Sequence, residues 1–140
     1  MALRHLYHRP VRLDATRFTA LATLVAGAAG RPLAPGKAVV GSGAFAHEAG
    51  LHVAGILKEP ATYEPYDPAE VGGSRRIVVG KHAGRASLRL ALHASGIEPD
   101  EATLPRLLDR VRGRAATVKR PLSHREVVDL YTEVSVTAAN

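Results

Sequence analysis

The chain has 140 residues, a formal charge of +6, no cysteine and no tryptophan. That length suits one ordinary domain or two small subdomains. The missing cysteines exclude a disulfide framework and a thiolate metal site, which fits a reducing cytoplasm. Much of the apolar content is alanine, with two Phe and four Tyr. Alanine buries little area, so the core is expected to be thin and some surfaces to need covering by another polypeptide.

In chain order, residues 2 to about 8 read as a short helix that ends before Pro10 and starts without a capping residue. No continuous apolar stretch follows, so a signal peptide is not expected. Asp14 can cap a second helix whose apolar face is Phe18, Leu21, Leu24, Val25 and Ala28, stopped by Gly30 and Pro32. The alanine-rich run from 20 to 29 is too short to span a bilayer. Residues 30–82 hold most of the prolines and many turn signals, with room for one short helix from about His47 to Lys58. Arg75 to Val79 is strand-like, and Gly80–Gly84 leads into a helix through Leu88, Leu90 and Leu92. A further helix from Pro99 to about Thr117 sets Leu104, Leu107, Leu108 and Val111 on one stripe. Ser123 and Glu126 form a capping box opening a last helix with Val127, Leu130, Tyr131 and Val134.

The fold class expected is mainly α, two small helical subdomains joined by a loop-rich segment with little strand. The boundaries expected are 1–9, 10–73 and 74–140.

The densest chemistry lies in residues 45–55. His47 and His52 are five apart, about 140° around a helix, so they do not make the i, i+4 zinc pair. Glu48 and His52 have that spacing. On a helix they make either a carboxylate-braced general acid or base, or a plain surface contact. Tyr63, in a proline-framed loop, reads either as a lid residue or as packing. Gly80 to Gly84 with Lys81 is a weak candidate for cradling phosphate on backbone amides. Arg106, Arg110, Arg112, Arg114, Lys119 and Arg120 could form a basic strip, but no aromatic platform or DNA-binding pattern accompanies it. A solvated helix face or a docking surface for an acidic partner is favoured over nucleic acid, and no membrane partner is expected.

Three ordered blocks carry a specific resemblance: Val39 to His52, Ala61 to Gly72, and Ile77 to Arg85. Together they resemble the region after the barrel in the acetyl-CoA-condensing homocitrate and isopropylmalate synthases, with residues 2–6 similar to the last barrel helix. Val53 stands where isopropylmalate synthases usually carry Gln. With the Lys119-Arg120-Pro121 ending, this favours the homocitrate synthases associated with nitrogen fixation. Ala54 and Ala83 depart from the family's usual Asp and Ser.

The resemblance implies condensation of acetyl-CoA with a 2-oxo acid, 2-oxoglutarate in the favoured branch, followed by thioester hydrolysis. It places His52 and Tyr63 at the positions of a histidine and a tyrosine supplied across a dimer to the barrel's active site. Glu48 would brace His52, and His47, which also matches a family position, and Lys81 are the expected substrate-binding residues. A TIM barrel needs about 200 residues, and this chain has none of its strands. The divalent metal is therefore expected in a barrel elsewhere, with no cofactor bound here. The expected partner is a barrel subunit or domain, in a homo- or hetero-oligomer, and this chain alone is expected to be inactive. The alternatives are a piece of an isopropylmalate or citramalate synthase and a non-catalytic helical interaction module.

Overall fold

A computed structural model describes residues 1–138. The chain is mainly helical and divides into two compact units. The first comprises residues 1–46 and 59–76, the second residues 47–58 and 77 onward. The expected cut after 73 thus falls three residues early. Residues 47–58, expected with the first part, belong to the second. Residues 139 and 140 of the expected second subdomain lie outside the described residues.

In the first unit, α1 (Ala2–His5) is shorter than expected. A 3-10 turn, Ala15–Arg17, runs directly into α2 (Phe18–Ala28). Asp14 caps that turn, its Oδ1 accepting the Thr16 amide at 3.2 Å, and Gly30 ends the helix region in the left-handed conformation at φ +61°. The expected apolar face of α2 is not buried. Leu24 is 69% exposed, and Leu21 and Val25 are also more than half exposed. The apolar residues of this unit that are buried include Ala15, Phe45, Pro68 and Val71, a small set. Each side chain of the Leu or Val type left in water forgoes roughly 1.5–3 kcal/mol of burial. Turns hold much of the remainder. Asp67 caps a 3-10 turn, Pro68–Val71, and Thr19 Oγ1 donates to the Val71 carbonyl at 2.7 Å.

The second unit has the larger core. It contains α3 (Gly50–Lys58), α4 (Arg85–His93), α5 (Thr103–Val118) and α6 (His124–Ala138). Leu88, Leu92, Leu104, Leu107, Val111 and Val127 form its centre. The stripe on α5 faces inward as expected, with Leu107 fully buried. On α4 the i, i+4 pair Leu88 and Leu92 is buried while Leu90 turns outward. Asp100 anchors the entry to α5, its Oδ1 accepting the Thr103 amide at 2.7 Å. Ser123 and Glu126 close the capping box, the Ser123 amide donating to Glu126 Oε2 at 2.8 Å and Glu126 N–H to Ser123 Oγ at 3.3 Å.

Among the described residues, strand structure is confined to β1 (Ala46–His47) and β2 (Arg76–Ile77) and one bridge between Val79 and Leu122. Arg76 N–H donates to Phe45 O and Val78 N–H to His47 O, both at 2.9 Å, so β1 and β2 run parallel. No helix among the described residues is long and apolar enough to cross a membrane.

Two outcomes follow. Leu107→Ala should cost roughly 2–5 kcal/mol in urea unfolding, whereas Leu24→Gln should change stability by less than about 0.5 kcal/mol. Glu126, held by the Arg120 guanidinium and the Ser123 amide, has its pKa lowered from 4.5 to about 2. Its folded value lies below the unfolded one, so its contribution is full above pH 4.5 and fades as pH falls towards 2. The stability difference between wild type and Glu126→Gln should therefore shrink across that window in acid unfolding.

Candidate active-site elements

His52 and Tyr63 are carried by different units. His52 is the third residue of α3 and its side chain is exposed. Val53 and Ile56 on the same helix are buried, and they fix which side of α3 turns outward. Helix α3 starts at Gly50, not at His47. His47 lies in β1, where its carbonyl accepts the Val78 amide, and Glu48 precedes the first helical residue.

The helical i, i+4 relation expected between Glu48 and His52 therefore does not hold. Glu48 Oε1 instead accepts the His82 backbone N–H at 2.9 Å. Its carboxylate packs so closely on Gly80 that a Cβ there would lie 2.5 Å from Oε1. Glu48 is a strut between the start of α3 and the 80–84 loop. The same junction brings Gly50 and Gly84 together, where a Cβ on Gly50 would sit 2.6 Å from Gly84 Cα. Arg112 completes it by donating twice to the Ala83 carbonyl, at 2.8 and 3.1 Å.

Three amides of the loop are engaged within the protein. The His82 amide donates to Glu48, the Ala83 amide to Gly80 O and the Gly84 amide to Ser87 Oγ. Backbone donors already engaged in this way cannot also wrap a phosphate. Lys81 is exposed at the tip of the loop.

Tyr63 closes a 3-10 turn, Pro60–Thr62, that Glu59 caps. Its side chain is 37% exposed. The next residue, Glu64, is only 4% exposed, and the Arg75 guanidinium grips it through Nε at 2.9 and 3.0 Å and Nη2 at 2.5 Å. That contact raises the Arg75 pKa further above its ordinary value. A forked donor on a buried carboxylate is a strong, directional tie. It pins the loop immediately after Tyr63. The sequence reading missed both residues, because a glutamate in a loop and an arginine eleven positions later have no periodic relation.

Beneath the loop, Tyr66 stacks on His5 with ring centres 5.3 Å apart and meets Phe45 edge-on at 5.8 Å. His5 Nε2 lies 3.0 Å from Glu70 Oε2, fastening α1 to the Pro68–Val71 turn. Partial burial and the Glu70 charge push the Tyr66 phenol pKa up. Of the basic strip, Arg110 pairs with Glu133, Arg112 holds Ala83 O and Arg120 grips Glu126 at 2.9 Å. Among the described residues no group of three His, Cys, Asp or Glu side chains could hold a metal ion.

Comparison with known proteins gives the family. Residues 39–119 match the family described as homocitrate synthase post-HMGL domain-like. The chain belongs to that family. It is 66% identical over 96 residues to a homocitrate synthase of Frankia alni, covering 69% of this chain and 27% of that protein. It is 56% identical over 128 residues to a homocitrate synthase of Frankia sp. strain FaC1, covering 91% of this chain and 31% of that one. A 2-isopropylmalate synthase 2 of Caldanaerobacter subterraneus subsp. tengcongensis is 46% identical over 138 residues, 97% of this chain and 35% of that protein. The chain thus spans between about a quarter and about a third of the length of these relatives.

Arg75→Leu should lower stability by on the order of 1–3 kcal/mol, since a buried carboxylate loses its forked partner. Arg75→Lys should restore only part of it, because one ammonium cannot reproduce the fork. Urea unfolding of the three proteins checks this.

Proposed function

We propose that this chain is the post-barrel part of a homocitrate synthase that condenses acetyl-CoA with 2-oxoglutarate, working on an active site built by a TIM-barrel polypeptide. In this reading His52 moves a proton and Tyr63 hydrogen-bonds the developing oxyanion, both supplied in trans across an oligomer. The divalent metal that chelates the oxo acid belongs to the barrel. The homocitrate synthase names of the two Frankia relatives favour 2-oxoglutarate over the oxo acids of isopropylmalate and citramalate synthases.

The observation that carries the proposal is the exposure of both side chains on elements that are themselves locked. His52 stands on α3, whose start is tied down by Glu48 and the Gly50–Gly84 contact. Tyr63 stands on a loop held by the Glu64–Arg75 pair. Groups held in this way on rigid supports can be offered to another polypeptide with little further ordering. The exposed leucines of α2 and α1 supply an apolar surface for that polypeptide to cover. The same arrangement gives Glu48 a positioning role in place of a direct one.

The test mixes this chain with a barrel polypeptide from a close relative, acetyl-CoA and 2-oxoglutarate, and measures release of CoA. His52→Ala should reduce turnover by about 10²–10⁴-fold, and Tyr63→Phe should lower kcat more than it raises KM. Undiminished turnover in His52→Ala would remove the proposed role.

A further inference from the structure

A cleft of about 480 Å³ opens in the second unit beside the 80–84 loop. That volume lies within the range of small-molecule pockets, roughly 300–1,000 Å³. Its apolar wall is Ala115 and Ala116 of the last turns of α5, continued by Pro121. Its charged groups are Lys81, Lys119 and Arg120, opposed by Glu48.

These charges are not equivalent. Arg120 is neutralised by a two-point grip on Glu126, both bonds 2.9 Å, and also donates to the Pro121 carbonyl. Glu48 directs Oε1 to the His82 amide. Among the described residues neither the Lys81 nor the Lys119 ammonium has a carboxylate partner. Two lysines therefore face one cleft without a carboxylate paired to either, and Glu48 is the acidic group of the same lining.

The backbone joins the two segments that carry them. The Leu122 amide donates to the Val79 carbonyl at 2.8 Å, and this bridge clamps the segment before Lys81 to the segment after Lys119. Lys119 ends α5 in the left-handed conformation, at φ +53°, which side chains other than glycine and asparagine seldom adopt.

The geometry points to a binding site for a phosphate monoester of mononucleotide size. Its phosphate would lie between Lys81 and Lys119, its flat base against Ala115, Ala116 and Pro121, and a sugar hydroxyl would donate to Glu48. The carboxylate excludes a bare polyanion as the best fit, because a second negative group would sit against it. A ligand with both an anionic end and a hydroxyl donor satisfies each side of the cleft.

This site does not depend on the acyl-transfer reading, and it can be tested on the full chain without a barrel. AMP, adenosine and inorganic phosphate are titrated into ¹⁵N-labelled protein and followed by amide shifts. AMP should move the amides around 81–82 and 116–120 and bind at least tenfold more tightly than either adenosine or phosphate. Lys81→Gln and Lys119→Asn should each weaken AMP at least fivefold while leaving adenosine unchanged. Asparagine accepts the left-handed cap, and thermal melting of both variants checks that the fold persists. Absence of shifts at millimolar AMP overturns the proposal. So does unchanged AMP affinity in both folded variants, or phosphate binding as tightly as AMP.

Discussion

The contact that fixes how α3 meets the loop ahead of α4 is the one between the Glu48 carboxylate and the His82 amide. It ties the residues that lead into α3 to the loop that leads into α4. The tie works because no Cβ intervenes. Gly80 leaves room for the carboxylate, and Gly50 and Gly84 let the two helix starts meet backbone to backbone. An alanine at Gly50 or Gly84 would require the backbone of the junction to move, and one at Gly80 would push the Glu48 carboxylate aside. Arg112, reaching from α5 to the Ala83 carbonyl, extends the same knot into the helical core. Because helix direction follows from how a helix begins, this small polar junction sets where His52 stands. It also positions Lys81 beside the C-terminal end of α5.

The first unit is stabilised differently. Its buried apolar set is small, so its order comes from capped turns, the His5–Tyr66–Phe45 rings and the Glu64–Arg75 pair. A carboxylate buried against a partly exposed guanidinium adds little net stability compared with apolar packing, but it is costly to strip of its partner. Its effect here is positional, since it fixes the loop at the residue next to Tyr63. The exposed leucines of α2 stand in contrast. A surface that forgoes so much burial in a chain covering about a third of its relatives' length is consistent with the proposed cover by a larger polypeptide.

The cleft proposal draws on an economy of charge. Three basic side chains of the strip are engaged by structure: Arg110 by Glu133, Arg112 by a carbonyl and Arg120 by Glu126. The basic strip visible in the sequence is thereby reduced, leaving Lys81 and Lys119 as the cationic groups of the cleft. A formal charge of +6 says nothing about which cations remain available for a ligand.

Local patterns in the sequence determined the helices and their caps. The 3.6-residue stripe of α5, the Asp14 cap and the Ser123–Glu126 box depend on neighbours a few positions apart, and such short-range signals survive without knowledge of the fold. The resemblance of three motif blocks likewise identified the family and singled out His52 and Tyr63. Tertiary structure alone decided that α3 starts three residues late, that Glu48 serves a distant amide and that Glu64 is buried on Arg75. It also decided that residues 47–58 join the second unit and that the leucines of α2 stay in water. Each of these rests on partners 11 to 34 positions away or on which faces the chain can cover, and neither is encoded in the spacing of nearby residues.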